Sequence, residues 1–198
     1  MGSIIGNTIW SLHMNQNVDQ FRDAAVKVGA EVHQLESVDE AAAYLAARLN
    51  GTLLYSGCPS LERAGLKAAL QSTGVDCVDQ GFRQAAPAAA GGVTGANFGI
   101  AATGTIVLES TDEAIRLATT LPDKHFVLLD PAKILESADA AVPLMRRFHE
   151  QLPQAYLAYL TGPSRTADIE RVLTIGVHGP VELHILLLEG LSGDPLER

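Results

Sequence analysis

A chain of 198 residues is long enough to bury a core without disulfides or a structural metal, and a single domain over residues 1–198 is expected. Hydrophobic residues make up 47% and charged residues 19%, a globular balance, and the low aromatic content of 5% suits helices laid closely on a sheet. With 23 acidic against 14 basic residues and a formal charge of −9, the chain repels polyphosphate backbones and anionic bilayers, which sets nucleic acid and membrane aside as partners.

The opening stretch, MGSIIGNTIWSLHMNQN, lacks a cationic start and a long apolar run, so no secretory leader is expected, and Gly6 breaks the myristoylation pattern. A reducing cytoplasm is the expected setting. Helix starts follow in chain order as a capping residue with Glu or Gln three places on: Asn17 with Gln20, Ser37 with Glu40, Ser110 with Glu113. Val18, Phe21, Ala25 and Val28 share one helical face, as do Val38, Ala41, Ala42, Leu45 and Leu49. Pro59 and Pro131 suit first helical positions, the latter capped by Asp130, and Ala138, Ala141, Val142, Met145, Phe148 and Leu152 mark a further amphipathic helix.

Between the helices lie apolar runs of strand length at 31–35, 52–55, 75–78, 105–109, 125–130, 155–161 and 183–188. Runs apolar on both faces indicate strands covered on both sides. The alternation predicts an α/β fold, a three-layer α/β/α sandwich with a mainly parallel sheet, and ligands in such sheets gather at the carboxyl ends of the strands. Two irregular stretches exceed simple connections: Ala85 to Thr105, rich in glycine, and Tyr159 to Gly190.

The second stretch reads TGPSRTADIE and then GVHGP. A Gly-Pro turn at Gly162 and a helix start near Ser164 would leave free backbone N–H groups, and with Ser164, Arg165 and Thr166 these donors suit a phosphate or carboxylate. The alternative is a capped helix with Arg165 solvated or paired to Asp168 or Glu170. His178, flanked by Gly176 and Gly179, could be held at a loop tip as a base or anion donor, or be simply hydrogen-bonded structure. Asp168 and His178 are the candidates for acid and base chemistry. His178, Glu182 and His184 fit no metal-ligand spacing, no metal site is expected, and a buried strand histidine is the simpler reading of His184.

In the first stretch, Gly92, Gly95 and Gly99 match neither the dinucleotide fingerprint nor a P-loop. What remains is a backbone-lined surface with Thr94, Asn97, Thr103 and Thr105 as neutral hydrogen-bonders, suited either to a small polar substrate or to close strand approach. Cys58 and Cys77 form no Cys-x-x-Cys, so thiolates of this chain build neither an iron-sulfur nor a zinc site, and Cys58 before Pro59 reads as a buried, inert thiol.

GVTGANFGIAATGTIVL (92–108), TGPSRTADIE (161–170) and GVHGPVELHILLL (176–188), in this order and at these separations, resemble the LUD-domain family of the lactate-utilization protein C (LutC) type. VDQFRDAAVKVGAEVHQLESVDEAAAYLA near the start extends the resemblance over nearly the whole chain. It implies a fold like that of the phosphosugar isomerases and CoA transferases (NagB/RpiA/CoA transferase-like). It also implies a bacterial cytoplasmic role in oxidising L-lactate to pyruvate beside iron-sulfur partner proteins, which would hold the redox centres, with no cofactor in this chain. Similar sequences usually carry Glu where this one has Ala102, which removes a carboxylate from a loop expected to face the ligand. The ligand is expected to be a small anion bound by Gly95, Asn97, Thr103, Gly104, Thr105, Gly162, Ser164, Arg165, Thr166, His178 and Gly179. Two other functions fit the residues: a free-standing enzyme on a CoA thioester or phosphosugar, with Glu109 or Glu182 as nucleophile in the CoA case, and a ligand-free interaction module.

Overall fold

The computed structural model describes residues 16–152, 154–167 and 173–197. Helix α1 covers residues 16–27, so Asn17 lies within the helix rather than ahead of it. Strand β1 (Glu31–Leu35) and helix α2 (Val38–Arg48) follow, and here the capping prediction is met. Ser37 Oγ accepts from Glu40 N at 3.2 Å, while Glu40 Oε2 reaches back to Glu36 N at 2.9 Å. Then come β2 (Leu53–Tyr55), α3 (Pro59–Ala64), α4 (Leu66–Ser72), the short β3 (Cys77–Val78) and α5 (Phe82–Ala85).

The glycine-rich stretch read as irregular holds two strands, β4 (Gly91–Gly95) and β5 (Phe98–Ile100). Glycine is a poor strand former, so the sequence alone argues against this, but the packing requires it. A Cβ on Gly91 would come within 2.7 Å of Leu49 Cδ1, and one on Gly92 would collide with the carbonyl of Ala118. Strand β6 (Thr105–Glu109) precedes helix α6 (Glu113–Thr120), whose cap is Asp112 and not Ser110. Ser110 is instead spent on strand pairing: its N and its Oγ both donate to Tyr156 O, at 2.7 and 2.8 Å.

The chain continues through β7 (Lys124–Leu129), a 3-10 turn at Pro131–Lys133 capped by Asp130, and β8 (Ile134–Leu135). Helix α7 (Ala138–Gln151), β9 (Leu157–Leu160), β10 (Arg165–Ala167), β11 (Leu173–Ile175) and β12 (Glu182–Leu188) complete it. The helix expected to start near Ser164 is not formed. Residues 165–167 are extended and pair antiparallel with β11, Arg165 opposite Ile175, and Ser164 N is drawn to Pro180 O at 2.9 Å.

The main sheet has six parallel strands in the order β1-β12-β7-β4-β2-β3. Alternate residues serve its two faces. Phe126, Leu128, Leu186 and Leu188 pack with Leu45, Leu61 and Leu70 of the helices α2 to α4. On the reverse face Val127, Leu129, Ile185 and Leu187 meet Phe21 and Ala25 of α1. The same reverse face meets Ile106 and Leu108 of a second, four-stranded sheet, β8-β5-β6-β9, and the far side of that sheet carries α7 through Phe98, Val107 and Phe148. Among the described residues no helix is long and apolar enough to cross a membrane.

Candidate functional site

Strand order reverses between β2 and β4. The chain leaves β2 for α3 on one face of the sheet and leaves β4 for the second sheet on the other. A crevice must open between the two carboxyl ends, and in open parallel sheets this is where ligands bind. A small cavity of about 180 Å³ lies there. Ser56, Gly57, Cys58 and Ser60 line it from the end of β2, Gly95, Ala96 and Asn97 from the end of β4, and Lys133 from the turn after β7. Glu109 and Asp112 enter from the end of β6 and the start of α6, and Glu197 from the segment after β12.

Backbone and side-chain hydrogen bonds fix these groups. Asn97, 7% exposed, accepts from Glu109 N at 2.7 Å and donates to Pro195 O (3.1 Å) and Glu197 O (2.8 Å), so one amide joins three segments. Lys133 is 5% exposed and donates to Ala96 O at 2.7 Å. Burial holds its ammonium below the usual lysine range, opposed by Cys58 and by Asp130, Glu197 and Asp194. Cys58 Sγ and Ser60 Oγ lie 3.2 Å apart. Gly95 makes room for this pair, since a Cβ there would come within 2.6 Å of the Cys58 sulfur.

The carboxylates differ in support. Glu109 Oε1 accepts from Thr111 N at 2.9 Å, and Asp112 Oδ1 from Ala114 N at 2.8 Å. Both oxygens of Glu197 are buried without a hydrogen bond among the described residues. Arg63 Nη2 lies 2.6 Å from Glu197 Oε1, an ion pair by distance, with the Arg63 side chain itself exposed. Chemically the cleft offers a desolvated ammonium, a thiol–hydroxyl pair and carboxylates to a molecule of a few heavy atoms.

Of the residues expected from the sequence to bind the anion, Gly95 and Asn97 reach this cleft and the others lie elsewhere. Thr103, Thr105 and Thr161 form a chain of hydroxyls, with oxygens 2.6 and 2.8 Å apart. Beside them Gly104 (φ 63°) and Gly162 (φ 76°) press on the end of α1, where a Cβ would strike the backbone of Ala25 and the carbonyl of Val28. Arg165 is exposed and donates to that Val28 carbonyl. Its guanidinium therefore meets the negative end of a helix, not the positive one that the expected helix start would have offered. Thr166 pairs with Thr174 in the hairpin, Gly179 packs on Ser164, and His178 is exposed in the following turn. Asp168 lies outside the described residues. Ala102 is exposed and borders an open depression along α1 with Asp19, Asp23 and Lys27, away from the cleft.

Sequence reasoning passed over Lys133, Asp112 and Glu197 and set Cys58 aside. The position of Lys133, three residues beyond a buried strand and just after the Asp130-Pro131 turn, was the available signal. At the opposite end of the sheet His184 is 1% exposed, as expected of a buried strand histidine. Its ring stacks on Phe126 at 4.7 Å and its nitrogens meet Tyr44 Oη (3.0 Å) and Glu182 Oε2 (2.9 Å). Glu31 joins Glu182 and His184 in a cluster within 4.8 Å, with Glu182 also paired to Lys124 at 3.0 Å. Glu182 thus belongs to that network and not to the cleft, whereas Glu109 lines the cleft.

The profile described as LUD domain matches residues 18–188. Lactate utilization protein C of Anoxybacillus flavithermus is 29% identical over 162 residues, covering 80% of this chain and 72% of that protein. Uncharacterized protein YkgG of Escherichia coli is 30% identical over 195 residues, 90% of this chain and 82% of that protein. An uncharacterized Neisseria meningitidis protein is 38% identical over 97 residues, 49% of this chain, and the match spans 41% of that relative. In fold, the chain is similar to a DUF162 family protein of Deinococcus radiodurans with a TM-score of 0.64 at 19% identity, covering 88% of this chain and 98% of that one.

Proposed function

The chain belongs to the LUD domain family, in its lactate-utilization protein C type, and from that membership we propose that it serves a bacterial system oxidising L-lactate to pyruvate. In this reading it binds a small carboxylate in the cleft between β2 and β4 and acts with iron-sulfur partner proteins. The observation that carries the proposal is the shared name of several relatives, Lactate utilization protein C, one of them matched over 80% of this chain. The cleft supports it by size and chemistry: it is small, polar and holds one buried ammonium.

Oxidising a 2-hydroxy acid removes two electrons and two protons. With two cysteines where a cluster takes four thiolates, this chain leaves electron transfer to its partners, and its own part is to bind and orient. Lys133 supplies the positive charge for a carboxylate, and the Ser60 hydroxyl and Cys58 thiol supply hydrogen-bonding groups for a hydroxyl or carbonyl oxygen.

The test is made in the native host grown on L-lactate. Deleting the gene is expected to abolish growth on lactate while growth on pyruvate continues, and the tagged chain is expected to bring down cluster-bearing proteins. Normal growth of the deletion strain on lactate, together with no such protein in the pull-down, would remove the proposal.

A further inference from the structure

Glu197 is an odd member of the cleft. Its side chain is only 12% exposed, and neither oxygen receives a hydrogen bond among the described residues. Glu109 and Asp112 each accept a backbone N–H from their own turn, and so does Asp130 nearby, from Ala132 N at 2.9 Å. A carboxylate withdrawn from water needs an opposite charge, and the charges at hand are the exposed guanidinium of Arg63, 2.6 Å away, and the buried ammonium of Lys133, which lines the same cleft.

The backbone that carries Glu197 is anchored separately. Asn97 donates to Pro195 O and Glu197 O, Ser192 N donates to Asp130 Oδ2 at 3.0 Å, and Leu196 is buried beside Phe98 and Phe148. Rotation of the Glu197 side chain alone would vacate the position, with the segment still in place.

We propose that Arg63 and Lys133 form a carboxylate subsite which Glu197 fills in this structure, and that the molecule bound in the cleft is a small carboxylic acid that takes its place. The inference rests on the reading of this cleft as the ligand site. Exchange of one carboxylate for another leaves the charge balance of the cleft unchanged, which matters where Glu109 and Asp112 already repel anions. A space of about 180 Å³ holds on the order of six water-sized groups, the size of a three-carbon hydroxy or oxo acid.

Titration calorimetry on the full chain with L-lactate, pyruvate and the uncharged lactamide tests this. Glu197→Gln and Glu197→Ala, each checked for folding by circular dichroism, are expected to bind L-lactate or pyruvate about tenfold tighter than the unaltered chain, with lactamide unaffected. Adding Arg63→Met is expected to cancel the gain. Equal affinity in all three proteins overturns the subsite while the cleft stands, and weaker binding in both variants would make Glu197 a ligand contact instead. No binding of either acid by any of them also overturns it, leaving lactate growth and partner capture to judge the function separately.

Discussion

A guanidinium set against the last carbonyls of a helix stabilises that end, and a cation there has little left to offer an incoming anion. Arg165 is in this position at α1, through Val28 O. Lys133 is in the opposite one: it is buried, has one carbonyl partner in Ala96 O and lies in the wall of the cleft. Calorimetry should therefore separate them. Arg165→Ala is expected to leave carboxylate affinity within about twofold and to lower stability by under about 1 kcal/mol. Lys133→Met should weaken binding about tenfold or more, because a desolvated charge pair is lost. The reverse ranking would return the ligand to the Arg165 side. Nothing in TGPSRTADIE distinguishes a capped helix start from a hairpin strand, since Ser, Thr and Asp suit helix caps and turns alike. Pro180, sixteen positions beyond Ser164, decides it by accepting Ser164 N.

At the scale of elements, α1 is seated by glycines. Gly104 and Gly162 have left-handed φ values of 63° and 76°, and both lie where a Cβ would meet the backbone of α1. Gly104→Ala and Gly162→Ala each combine a strained backbone with an immovable neighbour, and each is expected to cost about 2 kcal/mol or more. Urea unfolding reads this directly; a loss below about 0.5 kcal/mol would mean that α1 yields without cost. Helix α2 was legible because its cap is local, Ser37 and Glu40 bonding within one turn. Strand β4, GGVTG, was not. Its glycines are set by Leu49, Phe126 and Ala118, which come from three other elements.

Across the whole molecule, the doubly covered sheet buries histidines. His125 is 0% exposed in β7, with Nε2 2.9 Å from Thr94 Oγ1 and Nδ1 without a partner among the described residues. Burial, aided by nearby His184, depresses its pKa from 6.5 to about 3. Burial also lowers His184. Below pH 6.5 the unfolded chain takes up protons that the folded chain refuses, so stability is full above that pH and falls as pH drops towards about 3. A tenfold weakening of proton binding corresponds to about 1.4 kcal/mol, so the loss amounts to several kcal/mol at its acid limit. Denaturant titrations from pH 7 to 4 are expected to show this slope, and His125→Leu a shallower one. Parallel slopes would mean that His125 protonates without unfolding. By itself the sequence determined the alternation of covered strands and amphipathic helices, because apolar periodicity and capping act within a few residues of one another. Only the tertiary structure decided which glycines are strand, which end of a helix Arg165 meets, and that Lys133, Cys58, Glu109 and Glu197 share one cleft. Those outcomes depend on groups far apart in the chain, brought together by the reversal of strand order between β2 and β4.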